Sequence, residues 1–125
     1  DEPEEKAREN SSMARVSPIE FARNVQDVCD QFQLVAAYDV RILDDTVVKV
    51  RVFLIPDMFI DVFYNSDTGK TSYALINKGR RIFGADNAFI GWHLHPFENP
   101  DEHIPSSKTS FIDFMQTVKK HLTPE

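Results

Sequence analysis

Residues 58–77 decide the fold, and they read Met58-Phe59-Ile60-Asp61-Val62-Phe63-Tyr64-Asn65-Ser66-Asp67-Thr68-Gly69-Lys70-Thr71-Ser72-Tyr73-Ala74-Leu75-Ile76-Asn77. Two runs rich in aromatic and aliphatic residues flank the turn-forming residues 66–69. Such runs on either side of a short polar turn are typical of a β-hairpin. The stretch therefore predicts two antiparallel strands joined by a tight turn.

Three further strands are predicted around this hairpin. Before it, residues 34–42 and 47–55 alternate apolar and polar side chains, with turn signals at 44–45 and 56–57. After it, Lys78-Gly79 closes a turn into a strand over residues 80–84, and Asp86-Asn87 forms the turn that follows. Hairpins in succession give a five-stranded antiparallel β-meander.

A helix is predicted on each side of the meander. Residues 17–20 carry the signature of a capping box, and apolar residues follow at helical spacing as far as Phe32. Apolar residues recur at the same spacing in 111–122, so a second helix is expected from about Ser106 or Ser110 to His121. The predicted fold class is α+β: an N-terminal helix, the five-stranded meander and a C-terminal helix, with one or both helices covering one sheet face.

The chain's 125 residues suffice for one hydrophobic core. Residues 1–16 are polar and lack periodicity, which predicts a disordered arm followed by a single domain over residues 17–125. The single cysteine, Cys29, excludes an internal disulfide and is expected to be a buried apolar side chain. Because no apolar run is long enough for a membrane span and no secretory signal is evident, we expect a cytoplasmic protein without a membrane partner.

The formal net charge of −6 argues against broad electrostatic binding of nucleic acid. A local basic patch is still compatible with this charge. The candidates are Arg80 and Arg81 with Lys70 and Lys78, which lie around one predicted hairpin.

Three of the four histidines lie within eleven residues, between His93 and His103. In an extended chain, His93 and His95 face the same side and can hold one metal ion or one phosphate. Histidine also transfers protons near neutral pH. We therefore expect His93 and His95 to be catalytic, to bind a divalent metal together with Glu98, or both, and His103 to contact substrate. Asp101 and His103 are also near enough in sequence to add a third or fourth ligand. The alternative is a polar loop whose histidines only bond main-chain carbonyls.

Asp86 and Asn87 are the other two catalytic candidates. The carboxylate of Asp86 is placed to orient a neighbouring histidine or to act as a general base. Both residue types also favour turns through local hydrogen bonds, so a purely structural role is the alternative.

Asp61, Arg81 and Trp92 are candidates for substrate binding. Asp61 is the single acid in an apolar strand, and the predicted register places it opposite Ala74, which in turn lies opposite Phe83. That register puts Asp61 on the same sheet face as Arg81, where they form an ion pair or share a site. Trp92 either stacks on a base or packs in the core.

The order of these features resembles TumE-type toxins of prokaryotic toxin–antitoxin modules. The resemblance covers residues 34–122 and is carried by residues 79–87, by Trp92-His93-Leu94-His95-Pro96, by Glu102-His103 and by the closing helix. It departs at Gly84-Ala85, where the family tends to carry a basic or aromatic residue. The resemblance implies a toxin-like protein that acts on RNA and has an antitoxin protein as its partner.

A second resemblance is to JAMM metalloproteases, because Gly91-Trp92-His93-Leu94-His95-Pro96 is similar to the first part of their zinc motif. Ser110-Phe111-Ile112-Asp113 matches the second part in letters, but the gap after Pro96 is too long and the upstream glutamate base is missing. This resemblance implies a metal-dependent hydrolase.

The resemblance to TumE-type toxins thus implies an endoribonuclease, metal-independent or loosely metal-assisted, in which His93 and His95 form an acid–base pair, Asp86 orients one of them and Arg81 contacts phosphate. The alternatives are a non-catalytic protein-interaction module and, less favoured, a metal-dependent hydrolase. A meander leaves unpaired edge strands, which an antitoxin strand or a second copy in a homodimer could extend.

Overall fold

A computed structural model describes residues 15–89 and 91–123, so the predicted polar arm lies outside the described residues except for its last two positions. The described part contains two helices and seven strands in the order α1 (Pro18–Cys29), β1 (Val35–Leu43), β2 (Val47–Leu54), β3 (Met58–Asn65), β4 (Thr71–Asn77), β5 (Arg80–Asp86), β6 (His93–His95), β7 (Ile104–Pro105) and α2 (Phe111–Leu122).

The predicted α+β class, with a helix at each end of an antiparallel sheet, is confirmed, but the strand count of five is wrong. The sheet has seven strands in the order of the chain, and each pair of neighbours is antiparallel. The two additional strands, β6 and β7, have three and two residues and lie in the histidine segment. Strands this short show no recognisable alternation in sequence, because alternation is read over four residues or more.

The register differs from the predicted one at a single place. Asp61 lies opposite Ala74, as predicted, but Ala74 lies opposite Gly84 and not Phe83. The cause is a β-bulge, in which Ile82 is the extra residue of β5. The bulge lets β5 run on to Asp86, two residues beyond the predicted end of the strand.

Both helices pack on the same face of the sheet. The core between them is formed by alternate strand residues and one stripe of each helix, including Val50, Val62, Leu75, Val25 and Phe114. The side chains that point the other way are partly or fully exposed along β2 and β3. We call this second side the open face of the sheet; it carries Arg51, Asp61, Gly84 and their neighbours.

Local capping sets the helix starts. The Ser17 hydroxyl accepts from the Glu20 N–H, and the Glu20 side chain accepts from the Ser17 N–H, which completes the predicted capping box. Ser110 caps α2 in the same position, so that helix starts at Phe111 and the earlier predicted start at Ser106 is wrong. No helix of the described ranges is long and apolar enough to cross a membrane.

Candidate metal centre

The centre lies where β5 pairs with β6. His93 is opposite Asp86 and His95 is opposite Gly84. Residues opposite each other in a sheet share a face, and Leu94 between the two histidines points to the core side. The side chains of Asp86, His93 and His95 therefore meet on the open face.

One carboxylate joins both histidines. Nε2 of His93 lies 3.1 Å from Oδ1 of Asp86, and Nε2 of His95 lies 3.0 Å from Oδ2. Both histidines are buried, with 7% and 3% of their surface exposed, and Asp86 is half-buried. The three side chains therefore form a compact polar cluster that is largely shielded from solvent.

The other ring nitrogens fix how the imidazoles are protonated. Nδ1 of His93 donates to the carbonyl of Gly91 over 3.0 Å, and Nδ1 of His95 donates to the carbonyl of Pro100 over 3.1 Å. A carbonyl oxygen only accepts, so each ring carries a hydrogen on Nδ1. In a neutral imidazole the Nε2 lone pair then points at the Asp86 carboxylate. Two acceptors 3 Å apart require either a second proton on each ring or a cation between them.

His103 completes the cluster from the loop between β6 and β7. Its ring centroid lies 4.9 Å from that of His93 and 4.6 Å from that of His95. One nitrogen from each of the three rings falls within 4.8 Å of the other two. His103 is exposed, so the centre is open to solvent on this side and closed on the side of the sheet.

The loop that carries His103 is held by main-chain contacts. The Asn99 N–H donates to the Pro96 carbonyl, and the Glu102 N–H donates to the Asn99 carbonyl. From the sheet, the Arg81 guanidinium donates to the Pro100 carbonyl over 3.0 Å. Arg81 and the buried ring of His95 thus bind the same carbonyl, which ties the loop to β5 and β6.

The separations of the candidate ligand atoms match a transition-metal site in part. Metal–nitrogen bonds of about 2.0–2.1 Å in tetrahedral geometry separate neighbouring ligand atoms by roughly 3.3 Å. The Nε2–carboxylate distances of 3.0 and 3.1 Å are close to this value, and the 4.8 Å span of the three imidazoles is wider. The imidazole nitrogens would therefore have to approach one another to share one ion.

The charge state of Asp86 suits a ligand. Burial on its own would raise the pKa of Asp86, but the hydrogen bond from the Ala88 N–H, together with the hydrogen bond from His95 and the charge of both histidines when these rings are protonated, lowers it below its usual value. The carboxylate is therefore ionised at neutral pH and faces nitrogen atoms, which is how a carboxylate and imidazoles bind a divalent cation.

Gly84 makes room for the cluster. A Cβ added at Gly84 would lie 3.1 Å from the Tyr73 carbonyl oxygen, 3.1 Å from Cδ of Arg81 and 3.5 Å from Cδ2 of His95. The carbonyl belongs to β4, so a side chain at this position would require the backbone of β4 to shift by a few tenths of an ångström. The bare backbone at this position thus lets the His95 ring and the Arg81 side chain lie side by side.

Two predicted site residues lie elsewhere. The Asn87 side chain accepts from the Thr71 N–H and donates to the Gly69 carbonyl, so it braces the β3–β4 turn. Trp92 packs on Tyr73 on the core side, with ring centroids 6.1 Å apart. The structural alternatives that the sequence left open account for the contacts of both residues.

Three further site residues predicted from the sequence lie apart from the histidine cluster or at its margin, namely Asp61, Arg81 and Glu98. Asp61 forms a two-point ion pair with Arg51 at 2.9 and 3.1 Å, in place of the predicted pair with Arg81. Arg81 lies at the margin through its bond to Pro100. Glu98 is exposed and is not among the residues that converge, since His103 takes the third place.

Sequence reasoning missed the groups that orient the centre, namely the carbonyls of Gly91 and Pro100. Every residue carries a carbonyl, so side-chain identity gives no signal for them. Gly91 offers a partial one: its φ of 117° favours glycine, and its carbonyl holds the ring two residues on.

No family model matches the chain, and no curated protein or solved structure matches it either. The chemistry of the centre is therefore argued from its own geometry.

Proposed function

We propose that the protein is a metal-dependent hydrolase in which His93, His95, His103 and Asp86 hold one divalent transition-metal ion. The observation that carries the proposal is the direction of the two buried rings: each gives Nδ1 to a main-chain carbonyl and turns Nε2 to one carboxylate. Hydrogen bonds of this kind orient histidine ligands in metal sites. A metal ion bound there supplies hydrolytic chemistry by activating a water molecule.

The exposed side of the centre is the side from which a substrate approaches. His103 is exposed, whereas His93 and His95 are buried against the sheet. His93, His95, His103 and Asp86 would hold the ion, and the water molecule that it would activate would reach it from the exposed side, where His103 lies.

We propose RNA as the substrate, with cleavage of a phosphodiester bond. Two positive groups support this choice: Arg81 lies beside the centre, and Lys49 lies in the cross-strand row of the open face that leads through β3 and β4 to Asp86. Lysine and arginine bind phosphate oxygens. The resemblance to TumE-type toxins implies the same substrate, with an antitoxin protein as partner.

The first part of the test is metal analysis. Protein equilibrated with zinc or manganese and then dialysed is expected to retain about one ion per chain, because the centre offers one set of ligands. His95→Ala and His103→Ala are expected to lose it, whereas the control Glu98→Gln, on the same loop, is expected to keep it. Absence of bound metal from the wild-type protein at neutral pH would contradict the proposed centre.

The second part is cleavage of an end-labelled single-stranded RNA. The metal-loaded protein is expected to cleave it, and both EDTA and the two histidine variants are expected to stop cleavage. Stoichiometric metal without cleavage would reject RNA as substrate and favour the interaction module. Cleavage that survives EDTA would instead favour the metal-free acid–base mechanism.

That metal-free nuclease is the second candidate, and the observation in its favour is that Asp86 reaches both rings. One of His93 and His95 would be neutral and accept a proton from the attacking group, the other would be protonated and donate a proton to the leaving group, and Asp86 would stabilise the imidazolium. Such an enzyme would show a bell-shaped pH–rate profile and no dependence on added metal.

A further inference from the structure

We infer that two copies of the chain pair through β1, forming an antiparallel β1–β1 contact in which Asp39 of each copy lies opposite Arg41 of the other. The inference goes beyond the proposed function and does not depend on it, since β1 and the metal centre lie towards opposite edges of the sheet.

The strand β1 is a long edge of the described sheet. It has nine residues, and its register with β2 is regular from Ala37 to Leu43, with the one irregularity confined to its start. Proline, bulges and charged side chains, lysine above all, are the usual devices that block an edge. Residues 37–43 have no proline, bulge or lysine, and their two charges, Asp39 and Arg41, are of opposite sign. Apolar side chains are exposed at its end, where Ile42 and Leu43 keep 37% and 43% of their surface in solvent.

The hydrogen-bonding groups available on this edge follow from the strand alternation. The Ile55 N–H donates to the Leu34 carbonyl, so Ile55 and alternate residues of β2 turn their main-chain groups to β1. Their partners Ala37, Asp39 and Arg41 therefore turn their own groups to β2. The N–H and C=O groups of Tyr38, Val40 and Ile42 consequently point outward and are free to receive another strand.

A twofold axis at Val40 makes this edge complementary to itself. Val40 then forms a hydrogen-bonded pair with Val40 of the second copy, and Tyr38 pairs with Ile42 of that copy. Between them, Asp39 and Arg41 of the second copy form a non-hydrogen-bonded pair, the kind in which side chains approach most closely. The same contact occurs twice, because an antiparallel pair of identical strands has a twofold axis.

The charges of this edge favour that register. Within one chain, Arg41 and Asp39 are two residues apart on the open face, with their charged atoms 3.5 Å apart and their side chains 71% and 60% exposed. Such an exposed pair holds its geometry weakly. In the dimer each charge gains an opposite charge directly across the strands, and a shift by one residue in either direction would break both contacts and reverse the faces of the strand.

The test is a charge swap followed by sedimentation equilibrium. Wild-type protein is expected to show a concentration-dependent dimer. Asp39→Arg and Arg41→Asp each place like charges opposite each other at two positions, and we expect each to raise the dimer dissociation constant about tenfold or more. The double variant restores opposite charges in the reversed order, and we expect it to recover the wild-type constant.

Two further variants make the result specific to the edge. Arg23→Asp changes the net charge as Arg41→Asp does but lies exposed on α1, so it is expected to leave the dimer unchanged. Val40→Pro removes an outward N–H without removing a β1–β2 hydrogen bond, and is expected to give a folded monomer, as verified by circular dichroism. A wild-type monomer at all concentrations, a dimer indifferent to the single swaps, or a double swap that fails to recover the dimer would each overturn the inference.

Discussion

The carboxylate of Asp86 faces the imidazole of His93 across β5 and β6, with Oδ1 and Nε2 3.1 Å apart, and the same carboxylate reaches His95 through its other oxygen. One side chain therefore joins two buried rings that come from a strand of only three residues. This is the position at which the centre is most sensitive to substitution.

Asp86→Asn is expected to weaken zinc binding by about 10- to 100-fold. The amide keeps the shape of the side chain but loses the negative charge that faces the two Nε2 atoms. Competition with a chromophoric chelator measures the affinity. Asp101→Asn, exposed on the neighbouring loop, is the matched control and is expected to bind zinc as the wild type does. Equal affinities of the two variants would remove Asp86 from the ligand set.

Zinc is expected to stabilise the folded protein, since the four ligands are brought together only by folding. At a free concentration of 100 times the dissociation constant, binding adds about 2.7 kcal/mol to the free energy of unfolding, or very roughly 10 °C in Tm for a domain of this size. Metal ions compete with protons for the ligand atoms, so the increment is expected to decrease as the pH is lowered. Calorimetry of wild type and His103→Ala at two pH values measures it; an equal rise in both proteins would place the zinc elsewhere.

Asn87→Ala is expected to reduce stability without affecting the metal. The substitution removes the bonds to the Thr71 N–H and the Gly69 carbonyl; the carbonyl keeps the bond from the Thr71 hydroxyl, but the Thr71 N–H loses its partner, at a cost of about 1–3 kcal/mol. Urea denaturation measures the loss, with Asn24→Ala on the exposed side of α1 as control. If Asn87→Ala kept its stability but lost catalysis, the catalytic role predicted from the sequence would be supported instead.

Cys29 is expected to be inert in the native protein. Burial, with a smaller contribution from the charge of Asp30, raises the pKa of its thiol from 9.0 to about 12. The nucleophilic thiolate is therefore scarce at pH 8, and Ellman's reagent should react slowly with native protein and fully with unfolded protein.

The same pKa shift predicts a dependence of stability on pH. Because the folded state retains the Cys29 proton up to about pH 12 and the unfolded state loses it near 9.0, its contribution is complete below pH 9 and is lost as the pH rises through 12. Cys29→Ala should remove this part of the alkaline destabilisation. Rapid labelling of native Cys29 at pH 8 would contradict both expectations.

The larger elements of the fold could be predicted because each has its own local signal. The capping residues Ser17 and Glu20 indicate the start of α1. The turn at 66–69 determines the β3–β4 register, which places Asp61 opposite Ala74. The bulge at Ile82 has no such signal, since the residue fits a regular strand equally well. Because the bulge was not predicted, Phe83 instead of Gly84 was placed opposite Ala74. Gly84 was therefore not recognised as the residue that lies opposite His95.

Only those residues of the centre that lie close together along the chain could be predicted from the sequence. His93 and His95 stand out by their alternation, and Asp86 by its position just before them. The choice between Glu98 and His103 depends on how the loop after Pro96 turns, and its turns are held by main-chain bonds to Pro96, Asn99 and Pro100. Bonds of that kind do not depend on side-chain identity, so the sequence could not predict that His103, and not Glu98, lies beside His93 and His95.

Gly84 has a consequence for which related chains could share the proposed centre. A Cβ at that position would lie 3.1 Å from the Tyr73 carbonyl of β4 and 3.1 Å from Cδ of Arg81, so a larger residue requires its neighbours to shift by a few tenths of an ångström. We therefore expect chains that keep the bond between Arg81 and the Pro100 carbonyl to keep a glycine opposite His95 as well. The pattern Gly84-x-Asp86, His93-x-His95 and His103 is the one by which chains with the same cluster would be recognised.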